Sequence, residues 1–369
     1  MVNLVAVGDM AFTGPLAKDP AAVAERIRPE LLAVLRSGVL LANLECVLYD
    51  DVAPGQKGLG NSPMHSPTRT VDALKHLGVQ VVSLANNHIR DFGRDAVRST
   101  LRALDEAGIV HFGAGLDFDQ ASRPAFLDRD GLRLGFVGFG SSQYPGKDRE
   151  GTIPLEDRQA RKIVARAAGD CDFLVVCIHD GIEAFDYPMR STVKAARAFA
   201  RAGAGLVVGS HPHCIQGVER RDGTDIFYSV GNFLIPMFSP EPFERWRVQT
   251  ALTLMGFEIT MRQLAEAIVL EARIEGPGRC QVAPRPVLLD EEGVPHLATG
   301  EDERTILARL AELSAKFGDP SAAQWRRRDE TERKFLRMAA NSVSWLHVLK
   351  NIKRLRPRHI KAYLKGRFG

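Results

Sequence analysis

The chain alternates between short, continuously apolar runs and longer stretches with helical spacing. Residues 4–7, 39–42, 79–84, 173–178, 205–208 and 226–230 are runs of the first kind. Unbroken Val/Ile/Leu of this length predicts strands buried on both faces. Between them, residues 69–77, 94–107, 155–168 and 189–202 read as helices. In the second of these, Ala96, Val97, Leu101 and Leu104 mark the inward stripe. Strand and helix alternate through about residue 232, which predicts a layered α/β core. Residues 248–259 and 267–274 then alternate apolar and polar positions with no helix between them, as antiparallel strands or a hairpin do. Residues 276–300 are rich in Pro and Gly and are expected to be irregular.

The runs end in polar residues. The first is followed by Gly8-Asp9, the second by Asn43-Leu44-Glu45, and the third by Asn86-Asn87-His88 with Asp91 and Gly93 beyond. The fourth leads into His179-Asp180-Gly181, the fifth into Gly209-Ser210-His211-Pro212-His213, and the sixth into Gly231-Asn232-Phe233. Ligands of open α/β sheets gather at the carboxyl ends of the strands. A His-x-His pair on a loop can aim two imidazoles at neighbouring points, and imidazole is a common ligand of Zn and Fe. Taken one at a time these residues read as turn or capping positions, the reading preferred for Asn232 and Ser210. Taken together, five buried strands ending in metal-ligand types predict a site at one edge of the core.

Composition narrows the class. With 369 residues, 45% hydrophobic and 25% charged, the chain is an ordinary globular sequence. It has no apolar run of ~18 residues, so no transmembrane helix is expected. The first strand begins almost at Met1, leaving no room for a signal peptide. Cys46, Cys171, Cys177, Cys214 and Cys280 are odd in number and form no CxxC pair. That pattern suits reduced thiols and a cytoplasmic protein. Charge is uneven: residues 325–369 hold fourteen Lys/Arg and three Asp/Glu, a net of +11. The whole chain is +4, so residues 1–324 carry −7. Residues 322–355 read as a helix with Phe335, Leu336, Met338, Val343, Leu346, Leu349 and Ile352 at its apolar positions. It either docks on the acidic body with a solvated basic face or reaches an anionic membrane or polymer. No nucleic-acid module is recognisable.

These motifs together resemble the CapA-type proteins, the poly-gamma-glutamate capsule biosynthesis family, related to calcineurin-like metallophosphoesterases. Gly8-Asp9, Asn43-Leu44-Glu45, Ser83 to His88 with Asp91 and Gly93, His179-x-Gly181-x-Glu183, Gly209 to His213 with Gln216, and Tyr228 to Phe233 carry the likeness. They appear in order over residues 3–235. The resemblance implies a four-layer α/β/β/α metallophosphoesterase-like sandwich over residues 1–300, followed by a basic, mostly helical C-terminal extension over 301–369. It further implies two divalent ions between the sheets, Mn, Zn or Fe. Carried over by position, Asp9 and His213 bind the first ion, Glu45 bridges both, and Asn87, His179 and His211 bind the second. His88 stays free as a catalytic group, oriented by Asp91. Two cations ~3.5–4 Å apart clamp both oxygens of a displacement, and a carboxylate between them cancels charge.

Three positions depart from the pattern. Ala11 stands where phosphoesterases carry the His of Asp-x-His. Glu45 replaces a bridging Asp. Asp180 replaces the Trp of the family's His-Trp-Gly, as a further ligand, a pocket wall or a solvated loop acid. Glu183 is either a partner of His179 or a helix-start acid. Residues 50–68, with Lys57 among them, leave the strand that ends at Glu45 and should lie over the site. The resemblance implies a metal-dependent hydrolase of a phosphoester or related polar bond, acting on a small molecule or polymer. An accessory role in making or exporting an anionic polymer such as poly-gamma-glutamate is the second expectation. The expected location is cytoplasmic, peripheral to the membrane if the tail reaches it.

Overall fold

In the computed structural model, which describes residues 1–52, 58, 63–140, 144–156, 158–236, 259–315, 317 and 330, the apolar runs assemble into two sheets. The first runs Pro295–Leu297, Arg279–Leu289, Glu266–Gly276, Val2–Met10, Val39–Leu44, Val79–Ser83, Val110–Phe112, with Asn232–Leu234 also pairing beside Val2–Met10. It is parallel from Val2–Met10 to Val110–Phe112 and antiparallel across the hairpin. The second runs Val218–Arg221, Thr224–Phe227, Leu206–Ser210, Phe173–His179, Leu132–Gly140, Ala125–Arg129. Its four central strands are parallel and its two edges antiparallel.

Strand alternation builds the layers. On the first sheet Leu4, Ala6, Val39, Leu41 and Val81 face one way, into a core shared with Phe136, Phe173, Val175, Leu206 and Val208 of the second. Their sequence neighbours Val5, Val7, Leu40, Ala42 and Val82 face the other way, onto Leu31, Leu35, Leu74, Leu77, Val97 and Leu104 of the covering helices. On the far face of the second sheet, Phe139 stacks on Phe199 of the Arg190–Arg201 helix at 4.9 Å, beside the Arg158–Gly169 helix. The order is helices, sheet, sheet, helices. Burial of each strand on both faces explains why these runs lack polar alternation.

Two expectations are corrected. Residues 276–300 are not irregular: Arg279–Leu289 is a long strand paired along Glu266–Gly276. Pro284 and Pro286 fit because the strand meets Pro295–Leu297 only at Val287 to Leu289, so most of that side is an open edge. The Pro286 carbonyl accepts from Ala298 on that outer side, so the missing N–H leaves the hairpin ladder intact. Leu132–Gly140, unread as a strand, is central in the second sheet. Its glycines break the apolar run, yet the geometry requires them. A Cβ on Gly140 would lie 2.1 Å from the Ala85 carbonyl oxygen, and one on Gly138 would lie 2.8 Å from Ala85 Cβ.

The chain divides into a unit Met1–Ser314 and a unit Ala315–Gly369. Within the first, the helix that starts at Glu301 buries Ile306, Leu310 and Leu313 in the intersheet core. Residues 248–258, Lys57 and nearly all of the basic tail lie outside the described residues. Among the described residues, no helix is long and apolar enough to cross a membrane.

Candidate metal centre

The carboxyl ends of both sheets meet at one edge. Asp9 is the penultimate residue of Val2–Met10, and Glu45 follows Val39–Leu44 directly. Asn87 and His88 stand on the loop after Val79–Ser83. His179 ends Phe173–His179, and His211 and His213 leave Leu206–Ser210. The loop is wound tightly enough that His211 (φ 96°) and His213 (φ 57°) both sit at positive φ. Such backbone costs of order 1–3 kcal/mol per residue and persists where surroundings over-determine it. Here His211 N donates to Asp9 Oδ2 at 3.1 Å, and Ala184 N donates to the Pro212 carbonyl at 2.9 Å.

Two clusters of ligand atoms result, each spanning no more than 4.8 Å: Asp9, Glu45 and His213, and Glu45, His179 and His211. Glu45 belongs to both. Asn87 joins the second, its Oδ1 lying 2.7 Å from His179 Nε2. Outside the clusters, His88 Nδ1 lies 2.7 Å from Asp91 Oδ2, and its Nε2 stands 4.0 Å from Glu45 Oε1. Asp91 Oδ2 also accepts from Met64 N at 2.7 Å, which ties the end of the loop after Glu45 to His88.

Other side chains hold the ligands. Asn43 Nδ2 donates to Asp9 Oδ1 at 2.8 Å and lies 3.2 Å from His179 Nδ1. Ser210 Oγ is 3.1 Å from the same nitrogen. Asn232 Oδ1 is 2.9 Å from His213 Nδ1, and its Nδ2 donates to the His213 and Leu264 carbonyls at 3.2 Å each. Imidazole ligands need such partners to fix ring orientation. Reading Ser210 and Asn232 as turn or cap residues missed this, and Asn43 went unassigned. Asn43 and Ser210 stand at the ends of buried strands within two residues of a proposed ligand, whereas Asn232 meets His213 only through the fold. Glu183 is exposed, and His179 Nδ1 is met by Ser210 and Asn43 instead.

Electrostatics show a site short of positive charge. Burial raises the Glu45 carboxyl, and the neighbouring Asp9 charge adds to it, bringing its pKa to about 8. Burial also pushes Asp9 up, but the His213 hydrogen bond and the His179 and His213 charges leave it below the usual carboxylate range. Burial lowers His179 to about 4 and His211 to about 3, so both rings stay neutral. Burial opposes a charge on His213 too, yet Glu45 and Asp9 outweigh it and raise it to about 10. A proton on His213 thus balances carboxylates that a cation would balance as well.

The fit to metal rests on unpartnered atoms. Both Glu45 oxygens are buried without a hydrogen bond, although Oε1 lies 3.2 Å from His179 Nε2. His211 Nδ1 and Asn43 Oδ1 are likewise buried and unpaired. A buried orphan polar atom costs about 1–3 kcal/mol. Four within one site, on carboxylate, imidazole and amide groups, suit divalent cations.

The family model for the bacterial capsule synthesis protein PGA_cap matches residues 3–237. The chain belongs to this family. Capsule biosynthesis protein CapA of Bacillus anthracis is 32% identical over 196 residues, 51% of this chain and 48% of that protein. PGA biosynthesis protein CapA of Bacillus subtilis is 30% identical over 206 residues, 54% of each. The chain therefore spans about half the length of these relatives. A crystal structure described as a novel phosphatase of Mycoplasma pneumoniae superposes with a TM-score of 0.46 at 14% identity, covering 83% of this chain and 96% of that one. In this PGA_cap protein, two of the three departures noted in the sequence supply no cluster ligand. Ala11 is fully buried and offers no ligand. Asp180 lies outside both clusters, its Oδ2 accepting from Thr192 Oγ1 at 2.6 Å.

Proposed function

We propose that this protein is a metal-dependent hydrolase of a phosphoester or a related polar bond. The observation that carries the reading is Glu45, a fully buried carboxylate with both oxygens unpartnered, shared by two clusters of metal-ligand size. Asp9, Glu45 and His213 would hold one divalent ion, and Glu45, Asn87, His179 and His211 the other, with Mn, Zn or Fe suited to such nitrogen and oxygen donors. When bound, such ions polarise a substrate oxygen and offset its developing charge.

This chain's residues do the rest. Asn43, Ser210 and Asn232 orient the ligands. His88 bonds Asp91 through Nδ1, which leaves Nε2 to carry a proton to a leaving oxygen. Burial works against its charged form, but the Asp91 hydrogen bond and the Glu45 charge raise its pKa overall, which favours a proton donor.

The test is an activity screen of metal-loaded protein on phosphomonoesters, phosphodiesters and gamma-glutamyl amides, with Glu45→Gln as control. Turnover of one class that the variant lacks is expected. The absence of both metal uptake and turnover would end this reading.

A second reading, favoured by the names of the Bacillus relatives, is an accessory role in making or exporting an anionic polymer such as poly-gamma-glutamate. Polymer binding without cleavage of any substrate would select it.

A further inference from the structure

The two outer helical layers differ in charge, one mixed and the other basic. Helices over the first sheet mix signs: Thr70–Leu77 has Asp72 and Lys75, and Gly93–Ala107 has Asp95, Asp105 and Glu106 against three arginines. Over the second sheet, Arg158–Gly169 and Arg190–Arg201 hold eight Lys/Arg and no Asp/Glu. Arg197 is engaged with Glu219 and is half-buried. Arg158, Arg161, Lys162, Arg166, Lys194 and Arg201 are exposed and form no ion pair with another described residue. The nearest acids in sequence, Glu156, Asp157 and Asp170, flank the first helix at its ends. This basic face stands on residues 1–324, whose net charge is −7.

We propose that the outer face of helices Arg158–Gly169 and Arg190–Arg201 docks on an anionic lipid bilayer. Three features favour that partner. The charges spread in two dimensions over two neighbouring helices on a sheet, instead of lining a groove that would grip a single polymer chain. The residues between them are small, with Ala165, Ala168, Ala195 and Ala198 leaving no bulky ridge. Each helix is about 18 Å long at 1.5 Å per residue, so neighbouring heads lie within about one or two Debye lengths of ~8 Å and reinforce one another. Long basic side chains lift their charge to a headgroup plane while the stems stay on the protein. A second copy of this face would be repelled. No large apolar side chain other than Met1 is exposed among the described residues, so the attachment is electrostatic and reversible.

The experiment is sedimentation of the full-length protein with vesicles of phosphatidylcholine, alone or with one third phosphatidylglycerol. Binding only to the anionic vesicles, lost at high salt, is expected. R161E/K162E/R166E/K194E should weaken it about a hundredfold or more, since each surface cation contributes roughly a fivefold factor. The milder R161Q/K162Q/R166Q/K194Q, which adds no repulsion and keeps the fold, should weaken it by a smaller factor. Metal content should be unchanged in both, as all four positions are exposed and none belongs to the metal clusters. Three results would overturn the proposal: no binding by the parent protein, vesicle binding by both variants equal to the parent's, or variants that lose the parent's binding to soluble polyglutamate while vesicle binding stays intact.

Discussion

The two ligand clusters share Glu45 but lie at different depths. Asp9, Glu45 and His213 are all buried, whereas the second cluster includes the half-buried His211 and has half-buried Asn87 beside it. His88 borders this second side and is half-buried too. Closed metal sites serve structure, and open ones leave a position for water or substrate. On the proposed reading the buried cluster would anchor its ion, and the open one would exchange and meet the substrate. The asymmetry follows from topology. Asp9 lies on the strand at the middle of the first sheet and is roofed by the His211 backbone. Asn87 and His88 stand on a loop that leaves the core.

The severest break of this comparison is Glu45→Ala, which removes the one ligand both clusters need. Both ions should be lost, while His213→Ala and His211→Ala each cost one, the His211 variant losing the ion that a mild chelator removes first. Elemental analysis reads all three. One full ion retained in Glu45→Ala would mean that the clusters are independent.

A second, somewhat smaller effect lies on the open side. His88→Ala should keep both ions and the fold but slow turnover by ~10²–10⁴-fold, the usual size of a general-acid contribution. Loss of metal instead would make His88 a ligand and dissolve the division between anchoring and reacting sides.

How much of this was legible in the sequence depends on what each residue must do. Ligand types stand out, because Asp, Glu, Asn and His at the ends of apolar strands need no three-dimensional knowledge to be singled out. Their partners do not. Asn43, Ser210 and Asn232 look like ordinary strand-end residues until the sheets are docked and Asn43 reaches both Asp9 and His179 across the intersheet edge. Backbone proximity hides in the same way. Gly138 and Gly140 read as breakers, yet they let the central strand pass Ala85. Pro284 and Pro286 read as loop, yet they face the outer side of the hairpin, where the ladder needs no N–H from them. A pattern records what a residue prefers, and these positions are set by what approaches them.

Asn232→Ala sharpens the comparison from the buried side. Its amide holds His213 by ring and by carbonyl, so its loss should weaken the deeper ion about 10–100-fold, the common effect of removing a ligand's hydrogen-bond partner. The exchangeable ion should bind as before. Competition titrations with a chromogenic chelator separate the two. Equal weakening of both would show that Glu45 transmits the disturbance, and the clusters would then be one cooperative site.

The smallest effect is expected at Asp180, where the family's Trp is absent. It adjoins His179 in sequence, so proximity alone would make it a ligand of the open cluster. Its carboxylate instead accepts from Thr192 Oγ1 in the first turn of the Arg190–Arg201 helix, and its backbone N donates to the Ser210 carbonyl at 3.3 Å. The first contact fastens the His179 loop to the helical layer. Asp180→Ala should leave both ions in place and cost about 1 kcal/mol of stability, the usual net worth of one such hydrogen bond. Because the backbone contact survives, His179 should keep its position. Thermal unfolding alongside metal analysis decides the matter: a fallen midpoint with full metal content fits a loop fastener, whereas an unchanged midpoint with one ion missing would move Asp180 into the open cluster and raise its ligand count.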